Sequence, residues 1–145
     1  MEKNIYEKKP SLCSCLNIRR ASQAITEVYN DFLLPSNLKI SQFSLLKHIN
    51  QLGPVSVSDL AVIIRLDRTT LVRNLKPLER SGFVEDISTE TARNRQLRLT
   101  DKGIQIYKYA EELWKKAQGF LEDYLGRDNI DTLTVLLSKI EALVP

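Results

Sequence analysis

The chain has no apolar run approaching the roughly 18 residues that a membrane-spanning helix needs. Its first ten residues are polar and lack the apolar centre of a secretion signal. Both absences point to the cytoplasm. Cysteine is nearly missing as well. Cys13 and Cys15 are the only two, too close in sequence for a disulfide framework, and a reducing compartment suits them. A single histidine, His48, leaves any zinc site on the Cys-x-Cys pair short of its four ligands. No glycine-rich phosphate loop is present, and no nucleophile–base set can be assembled. The expectation is a protein with no cofactor, no metal and no enzymatic activity. Glycine and proline number only five each, which excludes long irregular regions and leaves most of the chain to helix.

What is present suits one domain of 145 residues with a sizeable core, 43% of its residues hydrophobic and 27% charged. The net charge is only +3, but it is localised. Residues 65–98 hold eight Lys and Arg against five acids, so the remainder of the chain is neutral. A basic patch of this kind supplies the salt-dependent part of nucleic-acid binding, although solvated helix faces are also charged.

Apolar spacing from Leu12 to Phe32 predicts a first helix over residues 11–34, ended by Pro35. Ser41 is expected to cap a second, over residues 42–52, with Phe43, Leu45, Leu46 and Ile49 inward. Gly53-Pro54 stops it. Ser56 with Asp59 reads as a capping box opening a short helix that carries Val57, Leu60, Ala61 and Ile64. After a turn at Leu66, Asp67 is placed to cap the next helix, which ends at Ser81-Gly82. Pro77 inside it predicts a bend or early loosening near residues 73–76. Strands are expected over residues 83–87 and 96–99. A long helix then runs from Thr100 to about Leu125. A last one is capped by Asp128 or Asn129.

The segment from Arg68 to Gly82 is the most informative. Leu71, Leu75 and Leu78 recur at helical spacing, while Thr69, Thr70, Arg73, Lys76 and Arg80 point largely the other way. One face packs and the other offers hydrogen-bond donors to an anionic polymer. Helix, turn, helix and a hairpin wing is an arrangement that lays one helix in the DNA major groove. The first and last helices carry more apolar surface than one small winged domain needs.

Several strings, in this order, resemble the MarR family of winged helix-turn-helix transcription factors. They are Ser56-Val-Ser-Asp-Leu-Ala61, the run Asp67-Arg-Thr-Thr-Leu-Val-Arg-Asn-Leu-Lys-Pro-Leu-Glu-Arg-Ser-Gly-Phe-Val84, and Leu97-Arg-Leu-Thr-Asp-Lys-Gly103. The resemblance covers about residues 11–143. It implies a mainly α (α+β) fold: one domain over residues 1–145, with dimerisation helices at 11–34 and 101–145 and a DNA-binding lobe at 40–100. It implies a cytoplasmic homodimeric repressor on a pseudo-palindromic operator in double-stranded DNA. Release by a small phenolic or aromatic effector is implied too.

The wing-tip arginine of the family falls on Arg93, with Arg95 beside it; an Asp usual two residues earlier is here Thr91. That substitution predicts loss of a wing-bracing ion pair. Arg73 is the expected base reader, since Arg grips guanine bidentately. Thr69 and Thr70 are placed for bases or phosphates, Asn74 on the flank. Arg68, Lys76 and Arg80 are placed for backbone contacts, with Arg80 as well read as a solvated helix end. Effector-pocket candidates are Cys15, Arg19, Tyr29, Phe43, Lys47 and His48, although ordinary packing for Tyr29 and Phe43, and a surface place for Lys47 and His48, is the commoner role of such residues. Cys15 lies fourteen residues before Tyr29, a spacing similar to that of the organic-hydroperoxide-sensing branch. A thiol-based redox sensor using Cys15, with Cys13 nearby, is therefore the alternative. The positions matching that branch's activating tyrosines are Ile40 and Phe43, which carry no hydroxyl, and buried cysteines acting as small apolar residues are commoner.

Overall fold

The computed structural model describes residues 8–89 and 95–145. Helix α1 spans Ser14–Leu33 and runs through a 3-10 turn at Leu34–Ser36 into α2, Ile40–Leu52. Strand β1 (Val55–Ser56) leads into α3 (Val57–Ile64) and α4 (Arg68–Arg80). Strands β2 (Val84–Asp86) and β3 (Gln96–Leu99) follow, then α5 (Asp101–Leu125) and α6 (Arg127–Glu141).

The sheet is antiparallel with β3 in the centre, in the order β1-β3-β2. Val84 faces Leu99 and Asp86 faces Leu97 across one pair, and Val55 faces Leu97 across the other. The sequence predicts only two of these strands, because a two-residue β1 shows no alternation to read. Its Val55 is buried and closes the open edge of the hairpin against the helices.

One core holds this lobe together. Phe43, Leu45, Leu46 and Ile49 of α2 are all buried, as the spacing predicts. They meet Leu60 of α3, Leu71, Leu75 and Leu78 of α4, and Leu97 of β3. Phe43 stacks between Tyr107 and Trp114 of α5, with ring centroids 5.8 and 6.0 Å away.

Three expectations are corrected. Ser41 does not cap α2: the helix begins one residue earlier, at Ile40. Its free N–H groups are met by Gln42 Oε1, accepting from Lys39 N at 2.9 Å, and by Asn30 Oδ1 of α1, accepting from Ile40 N at 2.8 Å. Neither Asp128 nor Asn129 caps α6, which starts at Arg127 after Gly126 at φ +89°. Asn129 Nδ2 instead donates to Leu125 O, sealing the end of α5. Finally, of the bend or loosening expected near residues 73–76, the loosening is absent: α4 runs unbroken to Arg80, and Ser81 N still reaches Pro77 O at 3.0 Å. Proline removes one hydrogen bond, to the carbonyl of Arg73, and both residues are exposed, on the solvent side of the helix where such a loss costs least.

The outer helices are different. Helix α6 has no buried residue, and α1 buries only Tyr29 and Leu33. Leu16, Ile18, Leu133, Leu136, Leu137 and Ile140 are all exposed. No described helix is long and apolar enough to cross a membrane.

Candidate nucleic-acid interface

The N-terminus of α4 is built as the sequence predicts. Asp67 Oδ1 accepts from Thr70 N at 2.8 Å, and Oδ2 accepts from the Thr70 hydroxyl at 2.6 Å. These two bonds, the hydroxyl first, hold the Asp67 carboxyl below its ordinary range. They also commit the Thr70 hydroxyl as a donor to its own cap. Thr69, one residue earlier, is exposed.

Leu71, Leu75 and Leu78 anchor α4 at 0 to 1% exposure, which turns Arg68, Arg73, Lys76 and Arg80 outward. Among the described residues no carboxylate pairs with any of these four cations. Asn74 is half-buried on the flank. The face combines unpaired guanidinium and ammonium groups with a hydroxyl, on a helix held rigidly from below.

Its far end is clasped by the chain leaving the hairpin. Gly82, at φ +75°, ends the turn after α4. Thr100 Oγ1 donates to Gly82 O at 2.5 Å, and Thr100 N donates to Phe83 O at 3.0 Å. Lys102 Nζ donates to Ser81 O at 2.9 Å while lying 5.3 Å from the Phe83 ring centroid. Helix α4, the start of the hairpin and α5 are thus locked at one junction.

Arg95 is not a free cation. Its Nη2 bonds Glu79 Oε1 on α4, and its Nε donates to Asp86 Oδ2 on β2 at 3.2 Å. Burial opposes the Arg95 charge, but the two carboxylates outweigh it and raise the pKa. Asp86 is held at about 2, mainly by hydrogen bonds from Ser88, then by Gln96 N and Arg95. Sequence reasoning missed Glu79 and Asp86. The signal was available in the hairpin register, which sets Asp86 opposite Leu97 and so brings Arg95 diagonally across from it. Arg93 and Asn94, with the Thr91 substitution and the ion pair it concerns, lie outside the described residues.

The pocket candidates are only partly brought together. Lys47 Nζ lies 4.7 Å from the Trp114 ring centroid, beside the stack of Phe43 on Trp114. Trp114 was not among the residues singled out. His48 Nδ1 contacts Ser44 O at 2.7 Å, within its own helix. Tyr29 is buried, which pushes its hydroxyl pKa up. Arg19 is exposed on α1. Cys13 and Cys15 are both exposed in the single chain, against the reading of buried apolar cysteines.

Comparison with known proteins agrees with this geometry. The MarR family model matches residues 38–88. The HTH-type transcriptional regulator SarZ of Staphylococcus haemolyticus is 29% identical over 128 residues, covering 87% of this chain and 85% of its own. The M. tuberculosis transcriptional regulator MosR, solved in complex with DNA, is 32% identical with a TM-score of 0.74, covering 91% of this chain and 99% of its own. The transcriptional repressor CouR, solved bound to p-coumaroyl-CoA, is 26% identical with a TM-score of 0.82, covering 89% and 91%. An outward cationic helix on a winged lobe, joined to this similarity along nearly the whole chain, places it: the protein belongs to the MarR family of DNA-binding transcriptional regulators.

Proposed function

We propose that the protein is a homodimeric, sequence-specific repressor that binds a pseudo-palindromic operator and is released by a small aromatic or phenolic effector. The observation that carries DNA reading is the unpaired face of α4. Arg73, at its centre, reads a base by a bidentate grip, with Thr69 and Asn74 beside it. Thr70 acts chiefly through the cap that fixes the helix start. Arg68 and Lys76 contact phosphates, and Arg93 enters the minor groove. In this reading residues 40–100 form the DNA-binding lobe and residues 11–34 and 101–145 the dimerisation helices.

Two copies related by a two-fold axis set the reading helices about one DNA turn apart, roughly 34 Å. The effector reading draws on two observations. CouR, a repressor of closely similar fold, is bound to p-coumaroyl-CoA. Here Phe43 and Lys47 of α2 and Trp114 of α5 gather aromatic faces and a cation where the DNA lobe meets α5.

The test is Arg73→Ala on a duplex selected by the unaltered protein from a random-sequence pool. The expected cost is about 1–3 kcal/mol, with preference relaxed at one base pair of each half-site. Unaltered affinity and preference in that variant would remove Arg73 from the reading face. A second reading, peroxide sensing through Cys15, is favoured only by the exposure of both thiols. It requires that organic hydroperoxide release the duplex and that Cys15→Ser abolish the release.

A further inference from the structure

Glu79 is misplaced by ordinary helix rules. A carboxylate in the last turn of α4 faces the negative end of the helix dipole. It also sits on the very helix proposed to approach phosphates, where its charge would repel them. Its partner explains the placement. Arg95 reaches Glu79 with Nη2 and Asp86 with Nε, so one planar guanidinium spans two carboxylates. Asp86 cannot swing away: its Oδ1 accepts from Ser88 N at 2.8 Å and Gln96 N at 3.1 Å, which leaves Oδ2 for the arginine.

The three side chains are 35, 27 and 29% exposed, well below a free surface pair. The neighbouring Arg98–Glu85 pair, at 52 and 43%, shows the contrast: it joins facing residues of β3 and β2 and ties nothing outside the hairpin.

We propose that Arg95 is a positioning residue rather than a DNA contact: through Glu79 and Asp86 it fixes the angle between the reading helix and the hairpin. This rests on the DNA-reading proposal above and deepens it. With the tie intact, α4 and the hairpin approach DNA as one unit, and the single arginine offsets one of the two negative charges. Without it the described hairpin residues are held to α4 by the buried Val84 and Leu97 and by the clasp at Gly82, with no polar tie beyond that clasp to set the angle.

The test measures affinity for the pool-selected duplex, with hydroxyl-radical footprints and thermal unfolding of each variant. Glu79→Met removes a negative charge near the phosphates. Charge alone predicts tighter binding. Loss of positioning predicts binding weaker by roughly three- to tenfold, with protection lost at the outer flanks of the footprint and kept at its centre. Glu85→Met removes the same charge from the hairpin, where its pair with Arg98 ties nothing to α4, and is expected to bind as well as, or better than, the unaltered protein. Arg95→Lys keeps the charge but cannot span two carboxylates, so it is expected to behave like Glu79→Met. A phosphate-contacting Arg95 would instead tolerate lysine. If Glu79→Met tracks Glu85→Met, or Arg95→Lys binds normally, the positioning role is overturned. Arg73→Ala in the same assay separates the two ideas: its normal binding sinks the DNA reading, whereas its loss beside a normal Arg95→Lys sinks only the tie.

Discussion

Gly103 shows how little room the junction beneath the reading helix leaves. A Cβ built there would lie 2.0 Å from the carbonyl oxygen of Phe83, and that neighbour is backbone already bonded to Thr100 N. Alanine in a helix interior ordinarily gains about 0.5–1 kcal/mol over glycine. Here the clash outweighs that gain, because the Phe83 carbonyl can move only by giving up its bond. Gly103→Ala is expected to destabilise by roughly 1–3 kcal/mol, read as a lower midpoint in urea unfolding. A stabilised variant would show that the clasp is softer than its distances imply. At this scale the sequence was informative about Leu71, Leu75 and Leu78, whose spacing declares their face. It was silent on Gly103, since a close approach by a chain twenty residues away leaves no local pattern.

Elements differ in how locally they are specified. The start of α4 is written within four residues, Asp67 to Thr70, and was legible. The start of α2 is not: its Ile40 N–H is met by Asn30, ten residues earlier on another helix, so a reading of neighbours settles on Ser41 instead. The hairpin lies between these cases. Its strands were legible from Leu97 and Leu99, but the role of Arg95 depends on Glu79 across a helix boundary. Asp86 gives the hairpin a pH signature. Its carboxyl sits at about 2 in the folded protein against an ordinary 3.8, so the charged form is stabilised by folding. That stability is fully present above about pH 4 and is lost as pH falls through 2. Asp86→Asn is therefore expected to be less stable at pH 6, and the gap between the two proteins should narrow as pH drops from 4 toward 2. Urea unfolding across that range is the check; a gap constant with pH would mean that Asp86 gains nothing from its charge.

Taken whole, the charge distribution sharpens once pairing is counted. Of the described cations in residues 65–98, Arg65 pairs with Glu141, Arg95 with Glu79 and Asp86, and Arg98 with Glu85. Those without a partner are Arg68, Arg73, Lys76 and Arg80, all on one helix. A single copy of such a helix makes a short, weak contact, and the rest of the fold supplies a reason to expect two. Leu133, Leu136, Leu137 and Ile140 leave α6 with an apolar face that none of the described residues buries. An exposed apolar helix of that extent is an interaction site. Leu16 and Ile18 of α1 are exposed as well, which fits an interface made by the same helices of a second copy. Glutamate at both Leu136 and Ile140 would have to bury two charges in that interface, which desolvation forbids. The double variant is expected to sediment as a monomer while the winged lobe, whose core lies elsewhere, keeps its helical signal. Affinity for the two-half-site duplex should then fall by about a hundredfold or more, because the second half-site no longer binds intramolecularly. A double variant that stays dimeric and keeps its affinity would place the interface elsewhere and free the α6 face for another partner.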